Sequence, residues 1–284
     1  MQIDRRRTSK TRPFGRKGPN YTLRRLMALL VLVFVFVLVS RLISAVVSMF
    51  DSGGQRTPLT QVNGASSPSP SPSTVPPPSC AFGKRLAAYR GYDEWQLTLL
   101  DTRYRLPKSY VPPGLKRISE AGFKGSLFVR GELIEDLAAM RKAAAANDTP
   151  IDVAAAYRSF DQQSSLFERR MRELGREEAL DKTARPGHSE HQLGTAVDFK
   201  TAGQPDVTEK WDQTPTGRWV VENAWRFGFV QSYPKGQEQL TCYGFEPWHY
   251  RYFGQTLAAK IHTSGLTLRQ FLWNEQQVAS SPIP

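Results

Sequence analysis

The chain has little histidine or cysteine. Its 284 residues include four histidines and two cysteines. Two cysteines allow one disulfide at most. No H-E-x-x-H run occurs, so no helix offers two histidines one turn apart to a metal. Internal repeats are absent, and so is a regular alternation of strand and helix. The first 25 residues contain a single acid, Asp4, against nine Lys and Arg, a net of +8.

That asymmetry bears on the formal net charge of +12, since residues 26–284 carry only +4 of it. The basicity belongs mainly to the tail, which argues against a nucleic-acid partner. Residues 26–39 follow without one polar side chain, and after Ser40 and Arg41 apolar character resumes to residue 50. A bilayer core takes about 20 apolar residues of helix. Residues 26–50 are therefore expected to form a single membrane anchor, with Arg41 near one end reaching the headgroups. The basic flank 1–25 then stays in the cytoplasm and the rest lies outside. Fourteen apolar residues also suit a signal peptide, although small-residue cleavage sites near Ser44-Ala45 are weak. Both readings export the chain. Arg5-Arg6-Arg7 lies too far upstream for a twin-arginine signal.

Residues 51–79 hold seven Pro and seven Ser and read as an extended spacer. The folded domain is expected over 80–275, with a short tail at 276–284. Apolar spacing predicts helices over 131–146 (Leu133, Leu137, Met140 and Ala144 on one face), 161–174 (with Leu166, Phe167 and Arg170 on one side), 217–227 and a last one at 254–264. Strands are expected over 151–156, 195–199, 229–233 and 248–253. This mixture indicates an α+β fold, helices against a small antiparallel sheet.

Two histidines have carboxylates at suggestive spacings. His191 precedes Asp198 by seven residues, with a glycine turn at Gly194 that can fold the two side chains together. In Glu246-Pro247-Trp248-His249 a carboxylate lies three residues before a histidine, in a segment whose proline and aromatics argue against helix. His191, Asp198 and His249 make three candidate ligands, the usual number at a catalytic zinc, which leaves a position for water. Glu246 suits the role of base. Taken singly, each pair is more often a structural hydrogen bond.

The run Ser189-Glu190-His191-Gln192-Leu193-Gly194-Thr195-Ala196-Val197-Asp198 resembles the Ser-x-His-x-x-Gly-x-Ala-x-Asp motif of VanY-type D-alanyl-D-alanine carboxypeptidases, in the LAS group of zinc peptidases. Glu246-Pro247-Trp248-His249 is similar to that family's second motif, and Tyr157-Arg158-Ser159 followed by Gln163 to an upstream one. The resemblance covers about residues 95–254. It implies one zinc ion held by His191, Asp198 and His249, Glu246 as general base, Arg158 stabilising the oxyanion, and Gln163 and Ser189 holding the substrate's terminal carboxylate. The implied substrate is the peptidoglycan stem peptide, cut at its last peptide bond outside the cytoplasmic membrane. L,D-carboxypeptidase, stem endopeptidase and non-catalytic wall-binding module remain as alternatives.

Other residues carry weaker expectations. His188 is placed at the mouth of the site and His262 in a structural position. Trp248, Tyr250 and Tyr252 are read as core and pocket wall. Cys80 and Cys242 could pair in an oxidising exterior and restrain the loop before Glu246, or Cys242 could be a buried thiol. No residue pattern speaks to oligomeric state.

Overall fold

In the computed structural model, which describes residues 75–205 and 207–280, the polypeptide has an α+β fold. The basic tail, the expected anchor at 26–50 and most of the Pro/Ser spacer lie outside the described residues. Among the described residues no helix is long and apolar enough to cross a membrane.

The strands are β1 (Arg85–Leu86), β2 (Tyr104–Arg105), β3 (Leu115–Arg117), β4 (Phe128–Arg130), β5 (Ile151–Ala155), β6 (Ala196–Thr201), β7 (Phe229–Gln231) and β8 (His249–Tyr252). The helices are α1 (Ile134–Ala146), α2 (Phe160–Leu174), α3 (Arg176–Lys182), α4 (Pro215–Asn223), α5 (Glu238–Thr241), α6 (Gln255–Ser264) and α7 (Leu268–Ser280). Strands β5, β6, β8 and β7 form one antiparallel sheet in that order, and β1–β2 and β3–β4 form two small pairs.

The two-residue period of the strands divides the central sheet into two faces. On β6, Val197 and Phe199 point into the main core; on β8, Tyr250 and Tyr252 do. The intervening residues Asp198, His249 and Arg251 therefore face the other way. The core face is covered by α1 and the 3-10 turn Gly131–Leu133 that leads into it, whose stripe of Leu133, Leu137, Met140 and Ala144 is completely buried, as the spacing predicts. Burying each of its larger side chains is worth about 1.5–3 kcal/mol. One face of the sheet thus stabilises the fold and leaves the other for chemistry.

The helix expected over 161–174 begins one residue earlier. Ser159 caps it, accepting from the Gln162 backbone N–H, while the Gln162 side chain accepts from the Ser159 N–H. Its one buried residue is Gln163 rather than an apolar stripe; Leu166 and Arg170 line a cavity. The chain does not end its helices at residue 264. Helix α7 follows and runs past residue 275, packing with α6 against Leu99 and Phe253 in a second apolar cluster. Arg269 of α7 donates to buried Asp101 at 2.7 Å and to the carbonyls of Pro78 and Leu240. This fastens the start of the domain to α5. Cys80 and Cys242 are joined there in a disulfide, with Cα atoms 5.2 Å apart.

Two histidines lie away from the sheet's polar face. His262 stacks on Trp225 with ring centroids 4.4 Å apart, the structural position expected of it. His188 does not reach a site mouth. It is buried, with Nδ1 2.7 Å from the Asp101 carbonyl, because the turn after Arg185 directs it inward.

Candidate active site

His191 sits in the 3-10 turn Glu190–Leu193, which stops at Gly194 with φ 74°. A side chain at Gly194 would also meet Pro112 and Arg130 at 3.0–3.2 Å, so glycine is required twice over. The Arg130 N–H donates to the Gly194 carbonyl, and its guanidinium to that of Leu193. The turn is thereby pinned, and β6 leaves it with Asp198 on the polar face. Asp198 is the direct cross-strand partner of His249.

Three side chains then converge. His191 Nε2 lies 3.4 Å from Asp198 Oδ2, and His249 Nδ1 lies 3.0 Å from Asp198 Oδ1. The imidazoles meet edge to face with centroids 4.9 Å apart. One ligand atom from each of the three residues falls within 4.8 Å of the others. His191 is anchored by its other nitrogen, Nδ1, 2.7 Å from the Ala156 carbonyl.

The charges are those of a cation site. Burial by itself raises the Asp198 pKa, but His191 and His249 outweigh it and hold the carboxyl well below the usual range. Burial disfavours a charged His249, yet hydrogen bonds to Asp198 and Glu190 push it up to about 10. His191 is lowered, first by burial. A proton on His249 thus supplies positive charge where a divalent ion supplies more. Two buried imidazoles and a half-buried carboxylate at this spacing fit zinc.

Glu246 opens the turn Glu246-Pro247-Trp248-His249, closed by the His249 N–H donating to the Glu246 carbonyl at 3.3 Å. Its Oε2 is 3.7 Å from His249 Nδ1. The side chain keeps 22% of its surface open to the cavity, but burial still pushes its pKa up to about 7, against the pull of His249. Such a carboxylate accepts and releases protons readily near neutrality.

Arg158 lies on the turn between β5 and α2. Its backbone N–H donates to the His191 carbonyl at 3.2 Å and its Nη1 to Gln163 Oε1 at 2.8 Å. The Gln163 amide also donates to the Ala184 carbonyl at 2.6 Å, which leaves one N–H for other use. All seven residues singled out in the sequence, Arg158, Gln163, Ser189, His191, Asp198, Glu246 and His249, line one cavity of about 240 Å3. Trp248 lines it too, while Tyr250 and Tyr252 are core.

Sequence reasoning passed over Glu190, which is buried beside His249 and Arg251. Two signals were available: it adjoins His191, and the strand period puts Arg251 on the same face as His249. It also missed Tyr233, whose ring packs 4.9 Å from that of His249.

Residues 126–255 match the family model described as "VanY: D-alanyl-D-alanine carboxypeptidase". The chain is 34% identical to the putative carboxypeptidase YodJ of Bacillus subtilis over 180 residues, 62% of this chain and 66% of the relative. It is 32% identical to a D-alanyl-D-alanine carboxypeptidase of Enterococcus faecalis over 192 residues, 64% of this chain and 68% of the relative. It thus spans about two thirds of these relatives' length. The LD-carboxypeptidase LdcB superposes with a TM-score of 0.58 at 30% identity, covering 68% of this chain and 98% of LdcB. The D,D-pentapeptidase VanY of a VanB-type resistance cassette, solved with Zn(II), superposes with a TM-score of 0.54 at 30% identity, covering 63% of this chain and 99% of that one. With the motifs converging on one cavity and the likeness extending over the whole of these catalytic domains, the chain belongs to the VanY family of D-alanyl-D-alanine carboxypeptidases, zinc peptidases of the LAS group.

Proposed function

We propose that this protein removes the terminal D-alanine from peptidoglycan stem peptides ending in D-Ala-D-Ala. The observation that carries the reading is the convergence of a three-ligand cation site, a carboxylate with its pKa near 7 and a guanidinium on one cavity. His191 Nε2, an Asp198 oxygen and His249 Nδ1 are the atoms that would hold zinc. Bound zinc supplies a Lewis acid that polarises a carbonyl and acidifies a water.

The remaining work belongs to the side chains. Glu246 Oε2 takes a proton from the attacking water and returns it to the nitrogen of the departing D-alanine. The Arg158 guanidinium, held by Gln163, meets the charge that develops on the carbonyl oxygen. Ser189 Oγ and the free N–H of Gln163 are the donors assigned to the substrate's terminal carboxylate. An intact constellation of this kind disfavours a mere wall-binding module. The likeness to LdcB makes L,D cleavage of a tetrapeptide the second reading.

Residues 26–50 are proposed to anchor the chain, with the domain outside the cytoplasmic membrane. The apolar run and basic flank support this, and so does the Cys80–Cys242 disulfide, a bond that persists in oxidising surroundings.

The test is D-alanine release by the full chain from a stem pentapeptide and a stem tetrapeptide, with and without chelator. Chelator-sensitive release from the pentapeptide alone is expected. Release from the tetrapeptide alone moves the assignment to L,D cleavage. No release from either overturns the carboxypeptidase reading.

A further inference from the structure

Glu190 is 4% exposed and does not line the substrate cavity, yet both its oxygens are engaged. Oε2 accepts from Ser232 Oγ at 2.6 Å and lies 3.0 Å from His249 Nε2. Oε1 accepts from Arg251 Nη1 at 3.0 Å. Arg251 is two residues beyond His249 on β8, so both point to the same face, and Ser232 directly follows β7.

An imidazole offers a lone pair to a metal at one nitrogen only when the proton sits on the other. The Nδ1 of His249 faces Asp198 at 3.0 Å and Glu246 at 3.7 Å, while Nε2 faces Glu190. Asp198 belongs to the same ligand set, so a metal would take the place of the proton between it and Nδ1. The one proton left on the ring then belongs on Nε2, beside Glu190, whose ionised carboxylate only accepts. His191 gets the same service from the main chain, through the Ala156 carbonyl. The geometry points to Glu190 as the positioning residue of His249. It sets the tautomer and ring orientation that present Nδ1 to the metal, while Arg251 and Ser232 hold Glu190 in place. This role rests on the zinc reading above and extends it by one named residue. Carboxylates behind metal-bound imidazoles also raise their basicity as ligands.

The competing account makes Glu190 only the counter-charge of buried Arg251. The two accounts separate in Glu190→Gln. The amide keeps the size of the side chain but has one acceptor oxygen. It cannot accept from Arg251 and from His249 Nε2–H at opposite ends.

The experiment measures zinc dissociation by chelator competition, the visible absorption of the cobalt-substituted protein, and the melting temperature without metal, all on the full chain. In Glu190→Gln the expected result is about tenfold to a hundredfold weaker zinc binding, with a shifted cobalt spectrum. A lower melting temperature, with zinc affinity within about twofold of wild type and an unchanged cobalt spectrum, overturns the role, because a pure counter-charge does not set ligand geometry. Ser232→Ala leaves the Glu190–Arg251 pair intact and decides the matter if Glu190→Gln fails to fold. It should weaken zinc by about threefold or more, and unchanged affinity overturns the role. A wild-type chain that binds no zinc overturns the zinc reading itself, and this role with it.

Discussion

Asp198 and His249 stand 51 residues apart in the chain and directly opposite each other across the β6–β8 ladder, with Oδ1 and Nδ1 3.0 Å apart. The ladder places them there whatever the surrounding loops do, because directly opposed residues share a face. His191 reaches the same point by a different route, from the tight turn that feeds β6. Two of the candidate metal ligands therefore sit on the sheet and the third on the turn that feeds it, while Glu246 and Arg158 approach from other turns.

Replacing Glu246 with Gln removes the proton acceptor and leaves the ligand triad untouched. A loss of about 10²–10⁴-fold in kcat is expected, with zinc content unchanged by metal analysis. In the metal-free chain its carboxyl titrates at about 7. A cation beside it favours the ionised form, so the acid limb of kcat/KM in the loaded enzyme should lie below pH 7. Retained turnover in Glu246→Gln contradicts the assignment.

Arg158→Lys keeps the charge and loses the planar fork that bonds Gln163 while facing the cavity. A fall in kcat of about 10²–10³-fold is expected, the usual cost of one oxyanion donor. Zinc affinity should hold. A change confined to KM would instead place Arg158 in ground-state binding.

His188 predicts a pH dependence of stability. Burial first, then Arg185, lowers its pKa from 6.5 to about 4, against the Asp101 carbonyl. Above pH 6.5 the imidazole is neutral in both folded and unfolded chains and contributes nothing. Below it the unfolded chain takes up a proton that the folded one refuses, so stability falls as pH drops from 6.5 towards about 4. The full loss is about 3 kcal/mol, at 1.4 kcal/mol per pKa unit. Denaturant midpoints across that window should show a shallower slope in His188→Gln than in wild type; parallel slopes refute the attribution.

The Cys80–Cys242 disulfide closes a loop of 162 residues and ends four residues before Glu246. Replacing both cysteines with Ser is expected to cost about 2–5 kcal/mol of stability, read as a fall in denaturant midpoint. Zinc affinity should change little, since the ligands ride on β6, β8 and the Gly194 turn. A large loss of zinc would mean that the bridge holds the metal site itself.

Much of this was written in local patterns. The α1 stripe, the strands carrying Asp198 and His249, and the glycine at 194 follow from periods of 3.6 and 2 and from a turn that only glycine fits. The candidate ligands and base were legible because the chain has only four histidines and two of them stand at short spacings from a carboxylate. Helix α7 was not legible as core, because its apolar residues acquire meaning only against Leu99 and Phe253, far away in sequence. On α2 the side that carries Leu166 and Arg170 is the wall of a cavity that α3 and β8 complete, a surrounding that no local pattern shows.

The sequence by itself determined which residues are the candidates for the chemistry and which strands bear Asp198 and His249, since both depend on side-chain type, on motif and on neighbours a few positions away. Only the tertiary structure decided how those residues are held. Glu190 behind His249, Ala156 behind His191 and the bridge from Cys80 to Cys242 all join segments distant in the chain. Even the one short-range link, Arg158 to Gln163, depends on Ala184 to orient the amide. Local pattern cannot encode such partners, because their energies arise from burial and geometry that exist only once the sheet has formed.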